Sequence, residues 1–395
     1  MELFAFSDAQ AHAIAERRGT PCFAYRLDLA AAGFHALASA LPRRVILAYA
    51  VKANPAGELL SLFAGMGAWF DCASDGELER IRAAGVPGAR VLYAGPGKTR
   101  AELELALAMG ARVEVDGLED LELLEGLLSR APAAAKAPLA VSVRVHPAAG
   151  VAEGSRIIGG AGPSAFGVDE EALPGFLAEA RRFERIRVAG LQLFAASNER
   201  DFSRLLGNHR TALSIAARMR RDAGLDLDLI DLGGGLGIPY SKDEAELDIA
   251  AFGQGLERLL EDNPWFEGKL VVEPGRWLAG PCGVYLAKVV RAKASRGETF
   301  AILEGGANHL LRPLLTGQAF PARAPGVPGE VRATTLAGPL CTSLDRLGSV
   351  ELPPLKAGDL VMLGQAGAYG FTEAMGSFLS HKPPAEHWLE GPVMD

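Results

Sequence analysis

The stretch ILAYAVKANP (residues 46–55) begins as the apolar core of a strand and ends with a lysine at a turn. The strand pattern covers residues 45–51, and Asn54-Pro55 then interrupts it. Burying an ammonium group is costly, so a lysine is rarely fully buried unless it is paired. Lys52 therefore has two interpretations: it extends to solvent at a strand end, or it stays partly desolvated for a chemical purpose.

Around this stretch, short strand-like runs alternate with amphipathic helical segments over the first two-thirds of the chain. TRAELELALAMG (99–110) and LEDLELLEGLLSR (118–130) are examples of these helices, because their apolar residues recur at helical spacing. Eight strands separated by helices predict an α/β fold with a (β/α)8 TIM-like barrel, and a doubly wound open sheet is the competing topology. The predicted strands lie near residues 45–51, 68–73, 90–94, 112–115, 139–145, 188–194, 227–232 and 269–273.

In such a barrel Lys52 would stand at the carboxyl end of the first strand, which is the face where barrel enzymes carry their chemistry. A partly desolvated lysine at that place has a lowered pKa and acts as an imine-forming amine. The barrel prediction therefore favours the chemical interpretation of Lys52 over the simple surface lysine.

The pattern changes after about residue 280. The later segments are strand-like and are separated by turn residues, with no long helix between them, which predicts a C-terminal β-sandwich or β-barrel domain. These segments are VYLAKVVRAKA (284–294), ETFAILEGG (298–306), VRATTLAGPL (331–340) and DLVMLGQAGAYG (359–370). We assign residues 31–278 to the barrel and 279–395 to the β domain, and we expect residues 1–30 to join the β domain.

The composition indicates a globular protein that acts on a small molecule. The chain has 395 residues, of which 49% are hydrophobic, and a formal net charge of -8. An acidic chain is a poor partner for nucleic acid or an anionic membrane. The sequence shows no spanning segment and no signal peptide, so we expect a cytoplasmic protein. Its four cysteines are too scattered for a disulfide framework or a zinc site, and we expect no metal.

Two further motifs stand at predicted strand ends. DLGGGLGIPY (231–240) contains three consecutive glycines, whose backbone N–H groups can converge on a phosphate or can simply form a tight turn. VVEPGRW (271–277) places Glu273 and Arg276 after the last barrel strand. A carboxylate near an imine-forming lysine and a phosphate cradle can keep a pyridine nitrogen protonated, which is how proteins tune pyridoxal phosphate. A surface salt bridge between Glu273 and Arg276 is the simpler alternative.

These motifs carry a family resemblance. YAVKANP, FDCASDGEL, GGGLGIPY, EPGR, GPLCTSLD and GAYG occur in this order between about residues 20 and 390. The chain thus resembles the fold-type III, pyridoxal-phosphate-dependent amino acid decarboxylases of the diaminopimelate and ornithine decarboxylase group, which share the alanine racemase-like fold. LQLFAASN, GPLCTSLD and FLSHKPPAE are more similar to the members associated with siderophore, antibiotic or exosortase-linked polysaccharide gene sets.

The resemblance implies roles for individual residues. Lys52 would bind the cofactor through an imine, Glu273 would pair with the pyridine nitrogen, and Cys341 would protonate the substrate carbon from the partner subunit of a homodimer. Cys341 has a plainer interpretation as a small buried apolar residue. The remaining cofactor-binding residues would be Asp71, Arg144, Phe194, Ser197, Gly233, Gly234, Gly235, Gly275, Arg276 and Tyr369. The substrate-binding residues would be Arg276, Arg312, Thr316, Thr342, Asp345 and Tyr369.

The chain departs from the family pattern at three places. Phe194 replaces the usual histidine over the cofactor ring, which keeps an aromatic face without the polarity of imidazole. Thr342 replaces the acid that recognises a distal ammonium, and Thr316 replaces a tyrosine. Arg276 and Arg312 would then be two positive charges without a counter-charge. We therefore expect a substrate with an anionic or neutral polar distal group, free or conjugated to a scaffold or carrier.

Two other functions remain open from the sequence. An amino acid racemase of this fold usually offers the pyridine nitrogen an arginine, which Glu273 argues against. A non-catalytic, decarboxylase-like regulatory protein would explain Phe194 and Thr342, although retention of Lys52 and Cys341 favours an enzyme. The sequence predicts decarboxylation of an α-amino acid or its conjugate to an amine and CO2 in a biosynthetic pathway.

Overall fold

The computed structural model describes residues 2–130, 137–148 and 162–391, and the chain divides into two compact units. The barrel unit comprises His35–Gly237 and Leu247–Gly275. The β unit comprises Met1–Phe34, Ile238–Glu246 and Arg276–Asp395. Ile238–Glu246, which the sequence analysis assigned to the barrel, thus groups with the β unit.

The strands are numbered in chain order. They are β1 (Cys22–Arg26), β2 (Val45–Ala50), β3 (Trp69–Cys72), β4 (Val91–Tyr93), β5 (Arg112–Val115), β6 (Leu139–His146), β7 (Val168–Asp169), β8 (Ile186–Gln192), β9 (Leu229–Asp231), β10 (Lys269–Val272), β11 (Gly283–Ser295), β12 (Glu298–Leu303), β13 (Ala322–Arg323), β14 (Arg332–Ala337), β15 (Arg346–Leu352), β16 (Leu360–Leu363) and β17 (Ala385–Leu389).

The helices alternate with the barrel strands, and the two that follow the last barrel strand are short. They are α1 (Asp8–Arg18), α2 (Leu27–Ala40), α3 (Gly57–Gly65), α4 (Asp75–Ala83), α5 (Arg100–Met109), α6 (Leu118–Leu128), α7 (Leu173–Ala180), α8 (Phe202–Ala223), α9 (Ile249–Glu261), α10 (Arg276–Ala279) and α11 (Arg312–Thr316). None of the described helices combines the length and apolarity that crossing a bilayer requires.

Eight parallel strands close the barrel. Their order is β5-β4-β3-β2-β10-β9-β8-β6, the pairing of β5 with β6 closes the ring, and β7 adds to β6. This confirms the (β/α)8 prediction and rules out the open doubly wound sheet. Each predicted strand is present with ends within two residues of the expected ones.

Helix α5 shows why the sequence encodes these boundaries. The Thr99 hydroxyl accepts a hydrogen bond from the backbone N–H of Glu102, and the Glu102 carboxylate accepts one from the N–H of Thr99. This capping box satisfies backbone donors that a helix start leaves unpaired. Gly110 ends the helix at a φ of 77°, which glycine adopts without a steric penalty. Leu103 is buried from this helix, and burying one leucine side chain contributes about 1.5–3 kcal/mol.

The β unit is built on one mixed sheet. Its main path runs β13-β16-β11-β12-β14-β15, and β1 pairs with β11 and β17. The N-terminal strand therefore lies in the C-terminal sheet. Most pairs are antiparallel, but β1–β17 and β12–β14 are parallel. The described part of this unit also contains short helices such as α11, so it is not purely β.

Candidate active site

Lys52 lies just beyond β2, in a single 3-10 turn formed by Val51–Ala53. Its Nζ atom is 2.9 Å from Oδ2 of Asp71, which is 3% exposed, whereas the lysine side chain is 41% exposed. The pairing follows from the barrel, since the register of β2 and β3 places Ala50 opposite Asp71. Nζ also lies 5.3 Å from the centroid of the Phe194 ring. Lys52 is therefore an ion-paired but accessible amine, and not simply a lysine that extends to solvent.

Three buried acids form what we call the carboxylate cluster: Glu114 in β5, Asp231 in β9 and Glu273 after β10. They are 0%, 0% and 2% exposed, and one oxygen from each lies within 4.8 Å of the others. Burial, with a smaller contribution from the negative charge of Asp71, raises the pKa of Glu273 to about 7. Burial and the charge of Glu273 raise the pKa values of Glu114 and Asp231 well above their usual range. The cluster therefore retains protons near neutral pH.

Several oxygens around this cluster have no hydrogen-bond partner among the described residues. They are Asp71 Oδ1, Glu114 Oε1, Glu114 Oε2, Gln192 Oε1 and Asp231 Oδ2. Gln192 Nε2 is 3.5 Å from Glu273 Oε1, the long limit of a hydrogen bond. Unpaired buried polar atoms are costly, so their concentration at the carboxyl end of the barrel indicates a place built to hold a polar group.

The three glycines Gly233, Gly234 and Gly235 form a loop into which no side chain fits. A Cβ atom on Gly233 would lie 2.7 Å from the carbonyl oxygen of Leu193, and one on Gly235 would lie 2.5 Å from that of Ala196. A Cβ atom on Gly234 would collide with the carbonyl oxygen of Glu273. Gly233 and Gly235 also have φ values of 69° and 94°. This tight backbone loop, the glycine cradle, stays a predicted phosphate site, and the N–H of Gly233 within it donates to Asp231 Oδ1 at 2.8 Å.

Other predicted cofactor residues lie on neighbouring loops of the barrel unit. Phe194 and Ser197 follow β8 and are half-buried. Gly275 follows β10, and a Cβ atom there would lie 2.9 Å from Cβ of Ala53, beside Lys52. Arg144, near the end of β6, has its guanidinium carbon 4.5 Å from the centroid of the Phe166 ring.

The β unit carries a second group of residues, which we call the arginine cluster: the predicted Arg276, Arg312 and Tyr369, with Tyr240 and Glu373. Arg276 Nη1 donates to the Tyr240 hydroxyl at 2.6 Å, and Arg312 Nη1 donates to Glu373 Oε1 at 2.7 Å. The guanidinium carbons of Arg276 and Arg312 lie 4.8 and 4.2 Å from the centroid of the Tyr369 ring. Tyr369 adopts a φ of 55°, at a cost of about 1–2 kcal/mol for a residue other than glycine.

The ion pair in the arginine cluster corrects an expectation from the sequence. Arg312 does have a counter-charge, because Glu373 supplies one from the loop after GAYG. Burial raises the pKa of Glu373, and the positive charge of Arg312 opposes that shift. The three charged groups Arg276, Arg312 and Glu373 therefore carry a net charge of +1 rather than +2 when Glu373 is ionised.

The loop with GPLCTSLD also differs from expectation at one residue. The Asp345 carboxylate is 3% exposed and accepts hydrogen bonds from the backbone N–H groups of Ala307 and Leu340. Asp345 therefore holds this loop, and the structure does not support a direct substrate contact by its carboxylate. Cys341 is exposed, which excludes the buried apolar interpretation. Thr342 is half-buried beside it.

Thr316 ends α11, where its hydroxyl donates to the carbonyl oxygen of Arg312 at 2.9 Å. It therefore closes the helix that carries Arg312. The sequence analysis missed Glu114, Asp231, Tyr240 and Glu373. Glu114 could have been found as an acid within a buried strand pattern, and Asp231 as the residue that begins the glycine motif. Glu373 has no such signal in the sequence.

An accessible lysine paired with a buried carboxylate, at the carboxyl end of a barrel that also bears a glycine cradle, is the arrangement expected of an enzyme that works through an imine. The chain matches the pyridoxal-binding domain model of the pyridoxal-dependent decarboxylases over residues 28–280. It belongs to this family and is a pyridoxal-phosphate-dependent carboxy-lyase. A buried acid at Glu273, rather than an arginine, agrees with a decarboxylase and not with a racemase.

Individual relatives are similar along almost the whole chain. The L-glutamyl-(BtrI acyl-carrier protein) decarboxylase of Niallia circulans is 29% identical, over 96% of this chain and 90% of that protein. A diaminopimelate decarboxylase of Pseudomonas aeruginosa is 33% identical, over 94% and 90%. The crystal structure of diaminopimelate decarboxylase from Helicobacter pylori with L-lysine has a TM-score of 0.87, with 26% identity over 97% of this chain and 95% of that one.

The residues present fit pyridoxal phosphate. The glycine cradle suits its phosphate, the accessible Lys52 suits its aldehyde, and Glu273 suits its pyridine nitrogen because a carboxyl with a pKa of about 7 exchanges a proton near neutral pH. Asp71 Oδ1 and Gln192 Oε1, which have no hydrogen-bond partner among the described residues, lie at the same end of the barrel and can accept hydrogen bonds from a polar ligand.

Proposed function

We propose that the protein removes the α-carboxylate of an amino acid whose distal end is anionic or neutral polar, and that its physiological substrate is a carrier-linked amino acid. The observation that carries the catalytic part is the Lys52–Asp71 pair beside the carboxylate cluster. The carrier is supported by the Niallia circulans relative, whose name specifies a glutamyl group on an acyl-carrier protein.

The barrel residues would prepare the reaction. Pyridoxal phosphate, when bound, supplies a sink for the electron pair released at the α-carbon. Lys52 would offer its amine for the imine, with Asp71 holding Nζ in place. Glu273 would keep a proton at the pyridine nitrogen, and Glu114 and Asp231 would share protons with Glu273. Gly233, Gly234, Gly235, Ser197 and Gly275 would bind the phosphate. Phe194 would cover the ring, and Arg144 would line its edge.

The net reaction replaces one carboxylate by one proton. The bond between the α-carbon and the carboxyl carbon breaks, CO2 leaves, and a proton is delivered to the α-carbon. Cys341 would donate this proton, since its thiol is exposed and reaches solvent or a second subunit. Two copies of the chain would then form a homodimer in which each supplies Cys341 to the other.

The β unit would select the substrate. Arg276 and Arg312, with Tyr369 against both guanidiniums, would bind its distal end or the cofactor phosphate. Thr342 stands where relatives carry an acid, so no acid at that position would attract a distal ammonium. Substrates such as diaminopimelate, lysine and ornithine are therefore disfavoured. A role in siderophore or other secondary-metabolite biosynthesis, in the cytoplasm, fits such a substrate.

A direct assay tests the proposal. Purified protein supplied with pyridoxal phosphate is incubated with L-glutamate, the N-acetylcysteamine thioester of its distal carboxyl group, diaminopimelate, lysine and ornithine. Mass spectrometry then detects the amine formed. Amine from the glutamyl thioester or from glutamate supports the proposal. Amine mainly from diaminopimelate, lysine or ornithine contradicts the substrate part, and no amine from any of them favours the non-catalytic alternative.

A further inference from the structure

The inference concerns Glu373, which the resemblance did not identify and which lies in the arginine cluster. Its Oε1 accepts from Arg312 Nη1 at 2.7 Å, and the Arg312 side chain is only 5% exposed. A guanidinium this deeply buried is stable only if its charge is compensated, and Glu373 provides the compensation. Arg312 is thus already bound to a carboxylate of its own chain.

This pairing changes what Arg312 can offer a ligand. Arg312 Nε has no hydrogen-bond partner among the described residues, so a ligand carboxylate can approach that edge of the guanidinium without displacing Glu373. It would, however, share one positive charge with the Glu373 carboxylate that Nη1 already binds. Binding there puts two carboxylates on one guanidinium, close to each other, which is repulsive.

A neutral polar group meets no such penalty. A thioester or amide carbonyl can lie against the Arg312–Glu373 pair without breaking it, and it adds no charge. Arg276, whose Nη1 donates to the Tyr240 hydroxyl at 2.6 Å and whose guanidinium lies against the Tyr369 ring, carries the same positive charge whether or not Glu373 is ionised, so the difference that Glu373 makes remains.

We propose that Glu373 is a specificity-determining residue, which by compensating the charge of Arg312 selects a substrate whose distal carboxyl group is masked as a thioester or amide over one with a free distal carboxylate. The inference rests on the proposed function and narrows it, since it takes the neutral distal group over the anionic one. It names the chemistry that distinguishes a carrier-linked amino acid from the free amino dicarboxylic acid.

The test compares a matched pair of ligands on the holoenzyme. Glutarate carries a free distal carboxylate, and glutaramate is the same chain with that carboxylate converted to an amide. Their dissociation constants are measured by calorimetry for the wild type, Glu373→Gln and Glu373→Asp. Glu330→Gln, which removes an exposed acid of the same unit, controls for the overall change in charge.

We expect Glu373→Gln to bind glutarate at least tenfold more tightly than the wild type does and to bind glutaramate within twofold of it. Glu373→Asp, which keeps the charge, and Glu330→Gln should leave the ratio of the two constants near the wild-type value. An unchanged ratio in Glu373→Gln, in protein whose melting temperature shows that it is folded, would overturn the inference.

The binding test is independent of turnover. The same variants are therefore assayed for decarboxylation of L-glutamate and its distal thioester, where the wild type should prefer the thioester and Glu373→Gln should lose at least tenfold of that preference. If the binding ratio shifts but neither compound is decarboxylated, the proposed function fails while the role of Glu373 stands. If the thioester is decarboxylated but the ratio does not respond to Glu373, only the inference fails.

Discussion

The Nζ atom of Lys52 lies 2.9 Å from Oδ2 of Asp71, in a pair whose acid is buried and whose base is accessible. The asymmetry follows from the fold, because Asp71 belongs to strand β3 while Lys52 stands two residues beyond the end of β2. Asp71 can therefore fix the amine without blocking the approach of a carbonyl carbon to it.

We predict that borohydride reduction of the holoenzyme attaches the cofactor to Lys52. Peptide mapping by mass spectrometry should find the label on the peptide that contains this residue. Lys52→Ala should abolish labelling and reduce turnover by about 10³-fold or more, because no other residue replaces a covalent catalyst. Lys242→Ala, at an exposed lysine, is the control. Label on another lysine would show that YAVKANP has been misinterpreted.

The carboxylate cluster predicts an unusual pH dependence of stability in the cofactor-free protein. Folding raises the pKa of Glu273 from 4.5 to about 7, and burial also raises the pKa of Glu114 well above its usual range. Between pH 4.5 and 7 the folded state thus holds a proton that the unfolded state has lost. The stabilisation is complete below pH 4.5 and is lost as pH rises. The free energy of unfolding should therefore fall from pH 5 to pH 8.

The Glu114→Gln variant lacks the carboxyl group that keeps a proton in the folded state and loses it on unfolding. Its denaturant-unfolding free energy should decline less steeply with pH than that of the wild type, by up to about 1.4 kcal/mol per pH unit. The free energy of unfolding of the variant, relative to that of the wild type, should be highest at pH 8. Glu330→Gln should parallel the wild type. Parallel curves for Glu114→Gln and the wild type would mean that Glu114 is not a protonated buried acid.

The glycine cradle predicts a specific loss of cofactor affinity. Gly234→Ala places a Cβ atom against the carbonyl oxygen of Glu273, which is backbone and cannot rotate away. We expect the dissociation constant for pyridoxal phosphate, from an absorbance titration, to rise at least tenfold, or about 1.4 kcal/mol. Gly175→Ala is the control, because no atom lies within 4 Å of its Cβ position and alanine favours helix α7. Equal affinities in the two variants would argue against the cradle.

The sequence predicted most of the barrel because its signals are local. Each strand is a short apolar run, and helices such as α5 carry their caps within a few residues. Lys52 and Glu273 could be found because motifs mark the strand ends. The Arg312–Glu373 pair could not be predicted in this way, since its members lie 61 residues apart, one on the short helix α11 and the other on an irregular loop. The contacts of Asp345 could not be predicted for a related reason: only the folded loop shows that its carboxylate accepts hydrogen bonds from the backbone N–H groups of Ala307 and Leu340.

The exposed Cys341 in the β unit and Lys52 in the barrel unit lead to a prediction about subunits. If each subunit of a homodimer supplies Cys341 to its partner, Lys52→Ala and Cys341→Ala homodimers should each be inactive. Mixing them should produce heterodimers with one intact site, and so recover up to about a quarter of wild-type activity after random exchange. Native mass spectrometry confirms that exchange has occurred. Exchange without any recovered activity would place both residues of a site in one chain.

The last prediction concerns Thr342, which is half-buried beside Cys341 and which the family resemblance places where an acid would recognise a distal ammonium. The only acid of the arginine cluster, Glu373, is already paired with Arg312, so a distal ammonium would meet a net positive charge. The wild type should therefore turn over diaminopimelate, lysine and ornithine poorly. Thr342→Glu would add the missing negative charge, and Thr342→Gln is its uncharged control. We expect kcat/KM for diaminopimelate to rise at least tenfold in Thr342→Glu alone, because one complementary charge is worth roughly 1–3 kcal/mol in recognition. Efficient decarboxylation of diaminopimelate by the unmodified protein would refute this, and would mean that another acid serves the distal ammonium in place of Thr342.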